Sequence, residues 1–262
     1  MLSGRVIHQG QVHAATPHEQ PGQIRLDNGL VCAQDQVQWL VPFEVGTIIA
    51  LGLNYADHVK ELAKELTVSS KDEPLVFLKG PNSLVAHLGQ TPRPTDAAFM
   101  HYECELAVVM GRTTRRVKAA EALAHVAGYT VCNDYAVRDY LENWYRPNLR
   151  VKNRDHATAL GPWLVQAQAV PDPQNLKLWT RVNGKVTQQG HTGNMVHTVA
   201  ELIEYLSGFM TLQAGDVILT GTPEGVVNVQ PGDVVETEIE GLGTLTNTLI
   251  APPVWGANGS MP

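Results

Sequence analysis

Cysteine is scarce and unpatterned in this chain. Cys32, Cys104 and Cys132 are the three present, and none stands in a Cys-x-x-Cys spacing. That argues against a zinc site, and the odd count argues against a disulfide framework. Long apolar runs are missing, so no segment reaches the length that spans a bilayer. The opening residues, Met1-Leu-Ser-Gly-Arg, have no signal-peptide core, and a reducing, cytoplasmic location is expected. Positive charge is in deficit. Nineteen Lys and Arg against 26 Asp and Glu leave a net charge of −7, which disfavours nucleic acid and anionic membrane surfaces as partners. There is no Gly-x-Ser-x-Gly elbow and no Gly-x-Gly-x-x-Gly after a strand. Thr220-Gly-Thr-Pro-Glu-Gly lacks the Gly-Lys-Ser/Thr of a phosphate loop. Internal repeats and low-complexity segments are also absent. What remains is a globular chain, 44% hydrophobic and 17% charged. Its 262 residues suit one large domain, or one large and one small.

The most informative stretch is His101-Tyr-Glu-Cys-Glu-Leu-Ala-Val-Val-Met110. Its β-prone, apolar composition predicts a strand. Side chains two apart on a strand share a face, so Glu103 and Glu105 stand side by side. Cys104, Leu106, Val108 and Met110 take the opposite face. Adjacent carboxylates repel unless a cation lies between them. Hard divalent ions take oxygen ligands, and Mg²⁺ uses few carboxylates and keeps waters. The competing reading is an edge strand with two solvated glutamates. Gly128-Tyr-Thr-Val-Cys-Asn-Asp134 predicts another strand, with Asp134 at its end as a possible third oxygen ligand.

The remaining punctuation sketches the fold. Residues 1–45 read as a small β-rich lead-in, with a boundary near residue 45 and a catalytic domain over 46–262. Thr47-Ile-Ile-Ala-Leu-Gly-Leu and Pro74-Leu-Val-Phe-Leu-Lys79 are buried strands by their continuous apolar runs. After the first, Asn54 or Asp57 caps a short helix that carries His58 and Glu61 on one face. A carboxylate beside an imidazole suits a general base, and an exposed helix with an incidental pair is the alternative. The polar residues that follow fit a lid. Ala119–Val126 reads as a helix. The segment from Tyr135 to Asn148, which holds Arg138, is aromatic and charged and suits the cover of a site or an interface. Lys152 sits in an apolar-flanked, strand-like run. Asn183-Gly184 predicts a type I′ hairpin turn. Glu201–Phe209 predicts an amphipathic helix with Leu202, Ile203, Tyr205, Leu206 and Phe209 inward. Residues 212–250 read as β. The Gly-rich loop at Thr220–Gly225 offers backbone N–H groups and the Thr222 hydroxyl to a carboxylate. This is an α+β, β-rich pattern, a mixed β-roll or barrel with short flanking helices.

Several segments together resemble the fumarylacetoacetate hydrolase family. They are Ala50-Leu-Gly-Leu-Asn-Tyr-Ala-Asp-His, Glu73-Pro-Leu-Val-Phe-Leu-Lys and Met100-His-Tyr-Glu-Cys-Glu-Leu. They continue with Ala127-Gly-Tyr-Thr-Val-Cys-Asn-Asp-Tyr-Ala-Val-Arg-Asp-Tyr-Leu-Glu-Asn, Tyr145-Arg-Pro-Asn-Leu-Arg-Val-Lys, and Phe209-Met-Thr-Leu-Gln-Ala-Gly-Asp with Thr220-Gly-Thr-Pro. The resemblance implies a β-roll of that family's C-terminal type, a homodimer or higher homo-oligomer (possibly with a homologous second subunit), and a Mg²⁺ or Mn²⁺ ion. Carried over by motif, Glu103, Glu105 and Asp134 are the metal ligands, and Lys152 is the lysine beside the metal. His58 and Glu61 are the acid/base pair, with Lys79, Arg138 and Thr222 as substrate contacts. One departure is Asn153-Arg-Asp-His-Ala-Thr-Ala after Lys152, where many relatives carry a Phe- and Pro-containing run; this bears on substrate preference.

The implied chemistry concerns a 2-oxo acid, which chelates such an ion through its carboxylate and keto oxygens. With a conjugated 3-ene, loss of CO₂ or of a proton at C5 leads to the same dienolate. One site can then decarboxylate 5-carboxymethyl-2-oxo-hex-3-ene-1,7-dioate and isomerise 2-hydroxyhepta-2,4-diene-1,7-dioate, in aromatic catabolism. The rival activities are hydrolysis of acylpyruvates or other 1,3-diketo acids, and oxaloacetate decarboxylation. The rival outside enzymes is a metal-binding structural protein, which needs neither His58 nor Lys152.

Overall fold

The computed structural model describes residues 2–57, 73–141 and 148–253. Five strands open the chain: β1 (Leu2–His8), β2 (Gln11–Pro17), β3 (Gln23–Leu26), β4 (Val31–Ala33) and β5 (Gln38–Leu40). They form an antiparallel meander in the order β4-β3-β2-β1, and β5 also pairs with β1. There follow β6 (Ile48–Gly52), β7 (Leu75–Lys79), β8 (Leu84–Val85), β9 (Gln90–Pro92), β10 (Met100–His101), β11 (Cys104–Met110), β12 (Val126–Asp134), β13 (Ala136–Val137) and β14 (Thr158–Gln166). The last strands are β15 (Lys177–Val182), β16 (Lys185–His191), β17 (Val217–Leu219), β18 (Val234–Ile239) and β19 (Gly243–Ile250). The helices lying wholly among the described residues are short: α1 (Ala119–Ala122), α2 (Leu149–Lys152) and α3 (Val199–Phe209). No helix among the described residues is long and apolar enough to cross a membrane.

The central sheet runs β14-β12-β11-β17-β6-β7, mostly antiparallel, with β17–β6 parallel and β8 pairing parallel with β14 off this path. The N-terminal meander extends it, because Leu2 and Ser3 of β1 pair with Val165 and Leu164 of β14. A second sheet has the order β16-β15-β18-β19-β9. β11 is buried along its whole length. Its alternation is as predicted. Cys104, Leu106, Val108 and Met110 join the main core, with Tyr129, Val131, Ile49 and Ile218. Ala107 faces a smaller core with Cys132, Leu160, Val217, Leu219 and Phe77. A sheet covered on both faces tolerates polar side chains only where they find partners.

Several expectations change in the folded chain. His101–Met110 is not one strand. β10 pairs with β13, and the chain leaves the ladder at Tyr102 and Glu103 before β11 begins. The break is held from outside, since the Glu103 N–H donates to Asn133 Oδ1 at 2.9 Å and Tyr102 Oη donates to Thr187 Oγ1 at 2.6 Å. Ala119–Val126 is one helical turn followed by a 3₁₀ turn at Leu123–His125. Val126 is already β12, claimed by its register with Met110. The Lys152 run is helical rather than strand-like. In α3, Leu202, Ile203 and Leu206 are buried as predicted, but Phe209 is 59% exposed and Tyr205 half-buried. The buried stripe is Val199, Leu202, Ile203 and Leu206, and the Tyr205 and Phe209 rings meet edge to face beside it. A capping box between Thr198 and Glu201 starts the helix. The hairpin turn is as predicted, with Asn183 and Gly184 both at positive φ between β15 and β16.

Candidate metal and substrate site

Adjacent strand ends build the centre. Cys104 lies opposite Asn133, and Glu105 opposite Cys132. Just before β11, the Asp134 N–H donates to Glu103 O at 2.9 Å. The register therefore sets Glu103 beside Asp134, and the pleat brings Glu105 to the same face. Ligand oxygens of Glu103, Glu105 and Asp134 lie within 4.8 Å of one another, all buried.

Two lysines close on this cluster from elsewhere in the chain. Lys152, at the end of α2, donates to Glu103 Oε2 at 2.5 Å and to Asp134 O at 3.1 Å. It stands 3.0 Å from Asp134 Oδ2. Lys79, at the end of β7, hydrogen-bonds Asp134 Oδ1 and the carbonyl of Lys152. Asn153 fastens α2 to β7, accepting from Gly80 N at 2.6 Å and donating to Leu78 O at 3.2 Å. The segment that departs from the family pattern thus ties down the lysine next to it.

The electrostatics follow from burial. Glu105 is fully buried. Burial, then Asp134 and Glu103, hold its carboxyl well above the usual carboxylate range, against Lys152 and the Gly221 N–H. Burial pushes Lys152 down, but Asp134, Glu103 and Glu105 outweigh it and keep the ammonium charged beyond the usual lysine range. Three carboxyl groups face two ammonium groups, so ionising all three leaves negative charge in excess, which Glu105 resists. Glu105 Oε1 has no hydrogen-bond partner, and neither has Asp134 Oδ2, whose approach from Lys152 is misaligned. Unsatisfied buried oxygens are costly, and these two belong to residues whose ligand oxygens gather within 4.8 Å. This donor set fits a hard divalent ion. The three residues can hold a metal.

The loop after β17 borders the cluster. The Gly221 N–H donates to Glu105 Oε2 at 2.8 Å. Asn54 spans the end of β6 and this loop, donating to Thr220 O at 2.9 Å and accepting from His197 N at 2.9 Å. Asn54 therefore serves as a bridge between loops. Thr222, 3% exposed, comes next in the loop. Arg138 opens the 3₁₀ turn Arg138–Tyr140, and its charge acts on buried His101.

The fold brings Glu103, Glu105, Asp134, Lys79 and Lys152 together, with Thr222 on the flank next to Glu105 and Arg138 on that of His101. His58 and Glu61, and the lid expected around them, lie outside the described residues. Sequence reasoning missed His101, whose Nδ1 is 3.6 Å from Glu103 Oε1. Burial lowers its pKa to about 4. Its place next to the carboxylate pair was the available signal. Asn133, Gln188 and the pairing of Lys79 with Asp134 were missed as well.

Comparison with known proteins adds the following. The family model "Fumarylacetoacetate (FAA) hydrolase C-terminal" matches residues 47–250. A 4-hydroxyphenylacetate degradation bifunctional isomerase/decarboxylase from Salmonella dublin is 56% identical over 205 residues. Those residues are 78% of this chain and 47% of that protein, so the chain spans about half the length of this relative. The crystal structure of a 5-carboxymethyl-2-hydroxymuconate delta-isomerase from Mycobacterium smegmatis superimposes with a TM-score of 0.83 at 35% identity, covering 97% of this chain and 100% of that one. Fumarylpyruvate hydrolase from Pseudomonas aeruginosa, solved with Mn²⁺ and pyruvate, gives 0.73 at 30% identity, covering 84% and 93%.

Proposed function

The chain belongs to the fumarylacetoacetate hydrolase family, and we propose that it is a Mg²⁺- or Mn²⁺-dependent decarboxylase/isomerase of aromatic catabolism. Its substrates would be 5-carboxymethyl-2-oxo-hex-3-ene-1,7-dioate and 2-hydroxyhepta-2,4-diene-1,7-dioate. The observation that carries the reading is the buried trio Glu103, Glu105 and Asp134, with oxygens left unsatisfied and a charged lysine alongside. A structural metal site has no use for that lysine. The likeness to the Salmonella isomerase/decarboxylase supports the choice of substrate.

Glu103, Glu105 and Asp134 would hold the ion. When bound, it supplies Lewis acidity toward the carboxylate and keto oxygens of a 2-oxo acid. Lys152 offsets negative charge that develops on the substrate during loss of CO₂ or of a proton. Lys79 we assign to orienting Asp134, because its contacts run to Asp134 and the Lys152 carbonyl. Thr222 donates to a substrate carboxylate, and Arg138 supplies positive charge on the His101 side. His58 and Glu61 enter on their sequence motif as the proton-transfer pair. Replacing His58 by Ala should lower kcat by roughly 10²–10⁴ and leave Mn²⁺ affinity unchanged. Loss of both together would make His58 a ligand instead.

Residues 1–45 we assign to a small N-terminal β unit ahead of the catalytic domain at 46–262. The edge strand β7 leaves Leu75 and Leu78 exposed, Leu78 at 58%. That supports a homo-oligomer, which light scattering would measure.

The deciding experiment incubates the protein with the 2-oxo-3-ene tricarboxylate and Mg²⁺, following CO₂ release and dienoate absorbance with and without EDTA. Metal-dependent CO₂ release is the expected result. Full activity in EDTA would remove the metal from the mechanism. A second reading, hydrolysis of an acylpyruvate, is favoured by the likeness to the Pseudomonas hydrolase. Acid release from fumarylpyruvate without CO₂ release would establish it.

A further inference from the structure

Thr222 is useful to an anionic substrate only if its proton is free to point at it, and a hydroxyl can turn either way. Gln188 removes that freedom. It lies on β16 opposite Thr180 and is 2% exposed. Its Nε2 donates to Thr222 Oγ1 at 3.0 Å and to Pro223 O at 2.9 Å, and its Oε1 accepts from Thr180 Oγ1 at 3.1 Å. The amide orientation is fixed chemically. A carbonyl such as Pro223 O can only accept, so the nitrogen must face the loop. Thr222 Oγ1 therefore accepts from below, and its one proton enters no hydrogen bond among the described residues.

The rest of β16 serves the same loop. A Cβ on Gly190 would come within 2.5 Å of Pro223 Cγ, so the strand passes directly beneath that ring. Tyr102 Oη links the neighbouring Thr187 to Gly225 O, at 2.6 and 3.0 Å. On its other side the loop is held by Glu105 and Asn54. A donor held this way needs no reorganisation when an anion arrives.

We infer that Gln188 is a positioning residue that makes Thr222 a one-way donor to the substrate carboxylate. The inference rests on the assignment of Thr222 as a carboxylate contact. A Gln188→Met change removes both N–H donors at similar size. Gln188→Glu keeps the shape but offers only acceptors when ionised, and so recruits the Thr222 proton to itself.

The test measures KM, kcat, Mn²⁺ affinity and the Kd of oxalate, a planar dianion resembling an enolised 2-oxo acid, on the Mg²⁺-loaded protein. Thr222→Val should raise KM and the oxalate Kd by about 10–100-fold, the worth of a hydrogen bond to a charged group. Gln188→Met and Gln188→Glu should raise both by about 5–30-fold, since a misaimed hydroxyl loses part of that bond. For the Gln188 variants kcat should stay within about threefold and Mn²⁺ affinity should hold, because the substrate loses only the aim of the Thr222 hydroxyl. The double variant of Gln188→Met with Thr222→Val should bind oxalate no worse than Thr222→Val alone, because the two act as one unit. Thr222→Ser should retain tight binding. Impaired Thr222→Val beside wild-type binding in a folded Gln188 variant would overturn the inference and leave the carboxylate contact standing. Multiplying effects in the double variant would overturn it too. Wild-type binding by Thr222→Val would remove the contact itself, and the inference with it. Should the Met variant not fold, the isosteric Glu variant decides.

Discussion

The N-terminal meander and the β11–β12 strand ends both contain close ion pairs, and the pairs have opposite significance. In the meander, Arg5 meets Glu44 at 2.7 Å, with the Glu44 side chain 90% exposed. Water screens both groups, and such a pair contributes roughly 0–1 kcal/mol. At the strand ends, Lys152 meets Glu103 and Lys79 meets Asp134 deep inside the sheet. There the desolvation cost of each charge rivals the attraction. Geometry at the surface is optional, whereas in the core every charge depends on its partners. A buried cluster with one more carboxyl group than it has ammonium partners is poor design for stability, and it suits a divalent-ion site.

Removing one buried cation should break this contrast most visibly. Lys152→Met should abolish turnover. In metal-free protein it should cost about 3–5 kcal/mol in urea unfolding, because Glu103 and Asp134 both lose the Lys152 ammonium. Added Mg²⁺ should restore much of the stability but not the activity. Near-wild-type kcat in the folded variant would mean that Lys152 is structural only.

Glu105→Gln sharpens the comparison from the other side. It removes a carboxylate that burial and neighbouring charges already disfavour. Metal-free protein should keep or raise its Tm, while Mn²⁺ affinity falls by at least about 100-fold, since few protein ligands hold such an ion. Unchanged Mn²⁺ affinity by calorimetry would exclude Glu105 from the coordination shell.

His87 tests burial without an ion pair. It packs edge-on to Trp39, accepts from Thr246 N at 3.1 Å, and is lowered by burial to about 4. The unfolded chain takes up this proton near the ordinary imidazole value of 6.5. Between those values the unfolded state binds more protons, so stability is full above pH 6.5 and is lost as pH falls toward 4. The contribution is about 3 kcal/mol. In His87→Gln the loss between pH 7 and pH 4.5 should shrink by most of that amount. An unchanged slope would place the acid sensitivity elsewhere.

The smallest effect belongs to the surface pair. Arg5→Ala should change stability by less than about 1 kcal/mol, and 0.5 M NaCl should erase the difference. A cost of several kcal/mol would erase the distinction between the two regions.

Much of this molecule was legible in one dimension. The pleat makes neighbours of residues two apart, so Glu103 and Glu105 could be paired on paper. Apolar runs marked β6 and β7 as strands, and Asn183-Gly184 marked its own turn, because each signal is local; β7 is not the buried strand expected, since it ends the sheet with Leu75 and Leu78 exposed. α3 was placed correctly, but its aromatic residues were drawn inward on hydrophobicity alone. Phe209 lies past the stripe that meets the core, and only packing reveals that.

The sequence by itself determined which residues are the candidates for chemistry: two carboxylates at a two-residue spacing, an aspartate closing a strand, and a lysine beyond it. The period of the backbone pairs the two glutamates, and the family motif, rather than spacing, singles out the lysine. Tertiary structure alone decided how they are held. The chain leaves the ladder at Tyr102 and Glu103 because Asn133 and Thr187 hold it there. Lys79 belongs to Asp134, 55 residues away, and Gln188 aims Thr222, 34 residues away. Contacts at such separations depend on strand order and register, and strand order is set by the packing of the whole sheet rather than by any pattern within one strand.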